Sequence, residues 1–210
     1  MERSGLEHTG HRFLQAPGGR GHGRVDHLPS ERPGPVKYGH RVFLLIIISK
    51  KEFVLREYRE QDKAFVIRLL SESPAMTFFP PEKIAEHAQL WLEDQWHSYG
   101  THGFGIWLLE SLTGEALGQC GLMMRNIEDR QRIELGFSIL RAHRGRGLAT
   151  GAARAVIAWA GQKGMDQPVA VIAPDNDPAR RVLEHCGFRF QKEFERFGQK
   201  ALLFHHHVSE

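Results

Sequence analysis

Between Arg132 and Gly164 the hydrophobic period changes once, and that change dictates a strand, a turn and a helix in that order. "RIELGFSIL" alternates as a strand does, which puts Glu134, Gly136 and Ser138 on one face. Leu148, Ala152, Val156, Trp159 and Ala160 recur at three and four residues, the spacing of a helix that ends at Gly164. The join, "RAHRGRGLATGAARA" at 141–155, holds four arginines, one histidine and three glycines. No Asp or Glu occurs between Glu134 and Asp166. A strand that runs through a glycine-rich turn into a helix leaves unpaired N–H groups in the first helical turn, where the helix dipole adds positive charge. Gly145 and Gly147 let the main chain approach a ligand without a Cβ in the way, and Arg141, Arg144 and Arg146 add attraction. A pyrophosphate suits this arrangement.

Three pyrophosphate motifs compete. A P-loop requires Gly, four residues, then Gly-Lys-Ser/Thr, and no such run occurs. A dinucleotide turn, G-x-G-x-x-G, is met by Gly145 and Gly147, but Thr150 stands at the third glycine. Asp175 lies at a tolerable distance for a ribose contact, yet four or five residues separate the strand from Gly145, and only one βαβ unit is visible. The third motif, Q/R-x-x-G-x-G/A, is met in full by Arg144, Gly147 and Ala149.

The rest of the chain frames this unit. With 210 residues and 41% hydrophobic content, it can bury one substantial core. A net charge of +3 is too mild to argue for nucleic acid but permits an anionic ligand. Two cysteines, Cys120 and Cys186, have no metal-type spacing and suggest a reducing cytoplasm. The longest apolar run, Val42–Ile48, is seven residues, far short of the roughly 20 of a membrane span. Residues 1–40 are rich in Gly, Pro, Arg and His and read as a disordered tail. Their histidines lack ligand spacing, and "GGRGHGR" is a short RGG-like fragment. A domain over 41–210 follows. "VFLLIII" and "EFVLREY" form one strand or two around Ser49-Lys50-Lys51. A helix capped by Asp62 carries Phe65, Leu69 and Leu70, and a second runs from Pro81 to a stop at Gly100. A hairpin, the strand–turn–helix unit, the strand "PVAVIA", a short helix capped by Asp177 and two closing strands complete an α/β (α+β) order.

The loop resembles the acetyl-coenzyme A pyrophosphate loop of the GNAT N-acetyltransferases. "FVLREYREQD", "LGQCGL", "IELGFSIL" and "DNDPARRVLEHCGF" fall around it in that superfamily's order, so the resemblance covers about 52–204. "FVLR" followed by an Asp, with "N-x-x-x-x-R-V-L-E-x-x-GF", resembles the RimJ/RimL-like branch. The resemblance implies a mixed, largely antiparallel sheet flanked by helices and splayed between its fourth and fifth strands. "RIELGFSIL" would be the fourth. It implies that acetyl-coenzyme A is the acyl donor and that no metal is required. Main-chain groups of Phe137, Ser138 and Ile139 would meet the pantetheine arm. The segment Arg144, Gly145, Arg146, Gly147, Leu148, Ala149 and Thr150 would hold the pyrophosphate, and Asn176 would meet the cofactor beyond the thioester. Phe137 and Ile139 could equally be core, and Asn176 could only shape the turn before Asp177.

Acetyl transfer needs a neutral amine, so a base must take a proton from a group with a pKa near 10. The resemblance nominates Glu134, whose plainer role is an exposed strand carboxylate paired with Arg130 or Arg132. It also exposes departures. Leu183 stands where some relatives place a proton-donating Tyr, Ala179 where others place a Ser, and Arg141 where this branch commonly has Pro. A phenol restored at 183 would be expected to raise the rate. Cys186 and His185 lie nearby, with packing the simpler role for Cys186. The acceptor wall would be 73–105, with Met76, Phe78, Phe79, Trp91 and Trp96 and the carboxylates Glu82, Glu86, Glu93 and Asp94. The acceptor would be a protein N-terminus, ribosomal proteins included, or a small amine. The chain would be a monomer or homodimer without membrane or nucleic-acid partners. Two alternatives stand: a domain that binds acetyl-coenzyme A without turnover, and an RNA-associated protein acting through its Arg/Gly tail.

Overall fold

The computed structural model describes residues 46–73, 79–165 and 167–207; the tail at 1–40, Val42–Leu45, Met76 and Phe78 lie outside the described residues. The first strand segment divides in two. β1 (Ile46–Ser49) and β2 (Phe53–Arg56) pair antiparallel around a turn in which the Lys50 N–H donates to the Phe53 carbonyl at 2.9 Å. All four β2 residues are buried, and Arg56 among them needs compensation. It gets this from Asp62, which accepts two hydrogen bonds at 2.7 and 2.9 Å, and from Glu110 at 2.8 Å. Burial works against the Arg56 charge, but the hydrogen bonds and the two carboxylates outweigh it and raise the guanidinium above its ordinary pKa. Asp62 stands at the start of α1 (Lys63–Ser71) without making a side-chain cap, because its carboxylate is committed to Arg56 and the Arg59 N–H. Of the expected α1 face, Leu69 is buried together with Val66, and Phe65 and Leu70 are only partly covered.

Helix α2 (Pro81–His102) starts on Pro81 and buries Ile84, Ala88 and Leu92. It runs through Gly100 and stops at Gly103, whose φ of 73° only glycine adopts freely. A mid-helix glycine costs only about 1 kcal/mol, and here the last turn is fixed from both sides. Ser98 donates to the Phe104 carbonyl at 2.7 Å, and Tyr99 donates to the Ile106 carbonyl.

The strands β3 (Ile106–Ser111), β4 (Ala116–Ile127) and β5 (Arg130–Ile139) form an antiparallel meander. After them come α3 (Leu148–Gln162), β6 (Val169–Ile172), α4 (Asp177–His185), β7 (Phe188–Arg196) and β8 (Gln199–His206). The sheet has eight strands in the order β1-β2-β3-β4-β5-β6-β8-β7, and β5–β6 is its one parallel pair. This is the mixed, largely antiparallel sheet that the sequence implies. Its two faces are separately packed. Tyr58, Leu92, Ile106 and Leu108 sit under α1 and α2, while Trp107, Leu122, Leu135, Ala152 and Val156 form the larger core under α3 and α4. Trp107 is fully buried and meets Trp159 edge-on at 4.9 Å.

Removing Asp62 from the buried Arg56 cluster takes away two of the hydrogen bonds that compensate its charge and leaves Glu110 as its carboxylate partner. Asp62→Ala is therefore expected to destabilise the domain by about 3–5 kcal/mol, read as a lowered urea midpoint; a loss below 1 kcal/mol would show that the pair is replaceable by water.

Candidate active site

β5 touches β6 at a single register position, Glu134 opposite Val169, and beyond it the two strands diverge. In the numbering used here this is the splay expected between the fourth and fifth strands. Alternate residues of an antiparallel strand turn their N–H and C=O to opposite neighbours. The Leu140 N–H donates to the Leu117 carbonyl on the β4 side, which sets the phase. Ser138 therefore spends its main-chain groups on β4, while those of Phe137 and Ile139 turn toward the gap. Glu134, Leu135, Gly136, Phe137, Asn176 and Ala179 line a cleft there of about 220 Å³.

The open end of the gap leads to the loop before α3. Gly145 and Gly147 have φ of 76° and 75°, and a Cβ at either would meet nothing within 4 Å. Both glycines thus border open space in a left-handed conformation. Gly147 precedes the helix, and its carbonyl accepts the Gly151 N–H at 2.9 Å. The N–H groups of Leu148, Ala149 and Thr150 have no acceptor in the helix itself. The Leu148 side chain is buried in the core and anchors this turn. The loop fits a pyrophosphate as a cradle of free main-chain donors.

Its arginines divide by role. Arg144 donates through Nε to the Ile139 carbonyl at 2.9 Å, tying the loop to the end of β5. Arg146 lies 3.4 Å from Nδ1 of the buried His143, whose Nε2 is 3.4 Å from Glu115. The acid-free window is therefore not acid-free in space. Glu115 meets His143, and Glu72 accepts the Arg141 N–H at 2.6 Å.

Glu134 is 6% exposed and sits where the strands part. Its partner is neither Arg130 nor Arg132 but Arg196, which binds both carboxylate oxygens at 3.2 and 3.0 Å. Arg196 ends β7 next to a two-residue turn in which Phe197 has φ of 54°, and its guanidinium stacks 5.6 Å from the Phe197 ring. The pairing spans 62 residues, so no local pattern announces it. The available signal was a cation at the end of a closing strand, "FERFGQ", facing a lone strand carboxylate.

On the far wall, Asn176 rather than Asp177 caps α4, accepting the Ala179 N–H at 3.1 Å. A side chain with non-helical backbone (φ −87°, ψ 63°) can reach back to that N–H, whereas Asp177 is already in the first turn. Ala179 lines the cleft, but Leu183 is fully buried in the core. Cys186 is packed against the Thr150 carbonyl at 3.7 Å, and burial pushes its thiol upward although Arg154 pulls the other way. Trp91 and Trp96 pack with the α1–α2 cluster, and the Trp96 Nε1 donates to the Tyr58 carbonyl at 2.9 Å. Glu82, Glu86, Glu93 and Asp94 are exposed along α2, with Glu86 held by Lys83 at 2.7 Å. Among the described residues no cluster of His, Cys, Asp and Glu could hold a metal ion.

The family model for the acetyltransferase (GNAT) domain matches residues 52–189. The uncharacterized protein YkkB of Bacillus subtilis (strain 168) is 30% identical over 155 residues, which are 71% of this chain and 89% of YkkB. A GNAT-family structure from Bordetella pertussis superposes with a TM-score of 0.66 at 24% identity, covering 76% of this chain and 98% of its own. RimL, a ribosomal L7/L12 α-N-protein acetyltransferase solved in complex with coenzyme A, superposes with a TM-score of 0.60 at 15% identity, covering 76% and 96%.

Two substitutions test this geometry. Gly147→Val puts a branched side chain into the cradle at a φ it resists, so acetyl-coenzyme A affinity is expected to fall at least tenfold in a calorimetric titration of the folded variant. Leu183→Tyr is expected to lose about 1–3 kcal/mol of stability by overpacking and to leave the rate without the gain an added acid would give. A Leu183→Tyr protein as stable as the parent and faster in thiol release would reverse the assignment of Leu183 to the core.

Proposed function

The chain belongs to the GNAT acetyltransferase family and is an acyltransferase, and we propose that it carries an acetyl group from acetyl-coenzyme A to a primary amine by direct attack in a ternary complex. The observation that carries this reading is the meeting of three features at one place: the β5–β6 divergence, the main-chain groups of Phe137 and the Ile139 N–H turned toward it, and the buried Glu134 where the strands part. Bound there, acetyl-coenzyme A supplies the acetyl thioester. The N–H groups of Gly145 to Thr150 hold its pyrophosphate, Phe137 and Ile139 orient the arm, and Asn176 closes the far wall while capping α4. Glu134 takes the amine proton through water. Arg196 occupies both carboxylate oxygens, yet each keeps a further lone pair for a water.

The acceptor is a protein N-terminus or a small amine. The RimJ/RimL-like placement rests on the paired motif residues Arg56 and Asp62 and on the Asn176-to-Phe188 segment. No described helix is long and apolar enough to cross a membrane, and the two buried free cysteines suit a reducing cytoplasm.

A second reading has its own observation. The Arg196 clamp on Glu134, with Ala179 and Leu183 in place of acids, also fits a domain that binds acetyl-coenzyme A without turnover. Thiol release measured over a panel of amines and N-terminal peptides separates the two. Glu134→Gln is expected to slow turnover at neutral pH about 100-fold, with acetyl-coenzyme A affinity nearly unchanged and the rate recovering as pH rises and free amine accumulates. An unaltered pH–rate profile in that variant would remove Glu134 as the base.

A further inference from the structure

We infer that the amine acceptor carries an anionic group, a carboxylate or a phosphate, held by Arg130, Arg132 and Lys192 in a pocket beside Glu134. The inference rests on the acetyl-transfer reading and deepens it.

The register places this pocket. Glu134 pairs with Val169, and Val169 with His205, so the three lie in line on one face. Arg132 and Arg130 follow Glu134 at period two on the same face. Lys192 joins them through Leu203, which pairs with Val171. Met123, opposite Glu134, packs with the cluster under α1 and α2, so this is the face away from α3 and its phosphate loop. A cavity of about 350 Å³ opens here. Ile127, Val169 and Leu203 are buried as its floor, and Arg130, Arg132, Lys192, His205, Glu128 and Gln191 form its wall. The donor enters from the divergent side of the β5–β6 contact, and this cavity lies on the other side of it.

The wall charges do not cancel. Lys192 is held by Glu128 at 2.7 Å, the only carboxylate in the lining. The side chains of Arg130 and Arg132 have neither a hydrogen-bond nor an ion-pair partner among the described residues. Burial, then the nearby Arg132, His207 and Lys192, hold His205 below the ordinary histidine range, which accords with an excess of positive charge. A protonated amine alone would be repelled by such a wall; an amine trailing an anion would be steered by it. Along a strand, Arg132 lies about 7 Å and Arg130 about 13 Å from Glu134. A chain of about six carbons matches the backbone spacing between Glu134 and the nearer arginine.

The test compares acceptors on five- or six-carbon chains with acetyl-coenzyme A saturating: hexylamine, cadaverine, aminocaproate and aminohexyl phosphate. The native enzyme is expected to prefer at least one anionic amine over hexylamine by tenfold or more in kcat/KM, the better one identifying carboxylate or phosphate. The double variant R130Q/R132Q is expected to lose that preference, and Arg132→Glu to shift it toward cadaverine; thermal melts confirm that both fold. No preference for either anionic amine, or one that survives R130Q/R132Q, overturns the inference. If neither these amines nor the panel of N-terminal peptides releases thiol, acetyl transfer fails as the function, and the pocket is judged by NMR titration with aminohexyl phosphate. Binding abolished in R130Q/R132Q sustains it, and equal or absent binding overturns it.

Discussion

The single contact between β5 and β6 organises everything else in the active region. A sheet normally satisfies each strand on both sides, and buried main-chain groups left unpaired are costly. Here the pairing ends at Glu134 and Val169, and the next residues of β5 keep only their β4 neighbour. The opening survives because both of its walls are anchored elsewhere. The β4–β5 ladder is continuous over ten register pairs, and β6 is held by β8 on its other edge. Arg144 closes one of the loose ends by binding the Ile139 carbonyl. The gap is thus a feature of the sheet itself, and the main-chain groups of Phe137 turn toward it.

Much of this was legible in the sequence because it is local. The change of period at Leu148, the Arg144–Gly147–Ala149 spacing and the stop at Gly164 are properties of adjacent residues, and the structure places a helix at 148–162 behind two left-handed glycines. What stayed hidden depends on contacts between distant segments. Gly100 reads as a stop, yet the packing of Ser98 and Tyr99 carries α2 three residues further to Gly103. Asp62 and Asp177 both look like caps by type and position. The first is claimed by Arg56 and the second is displaced by Asn176, choices that only side-chain geometry reveals. Leu183 could be counted from Asn176 along the chain, but the core it enters could not.

The arginines make the same point in charge. Arg56, Arg144 and Arg196 have identical side chains and three different tasks: a buried pair that fixes β2 to the first helical turn, a strut from the loop before α3 to the end of β5, and a clamp on Glu134. Composition records only their sum, a net charge of +3. Position separates Arg56 and Arg196, which carboxylates neutralise, from Arg130 and Arg132, which line a cavity with no ion-pair partner among the described residues.

In the proposed reaction, Ala179 and Leu183 on α4 are compatible with transfer because of an asymmetry in the proton problem. An alkyl amine has a pKa near 10 and is almost wholly protonated at neutral pH, whereas a thiol ionises near 8.5. The demand for a base is therefore the greater, and the demand for an acid at the leaving sulfur is small enough for water to meet. The wall residues match this imbalance. The Glu134 carboxylate is buried where the strands part and is bound by Arg196. Opposite it, position 183 is given to the hydrophobic core and position 179 to a methyl group that lines the cleft. Aliphatic side chains there strengthen the packing of α4 on the sheet, while in the proposed reaction the one proton that must be removed goes to Glu134.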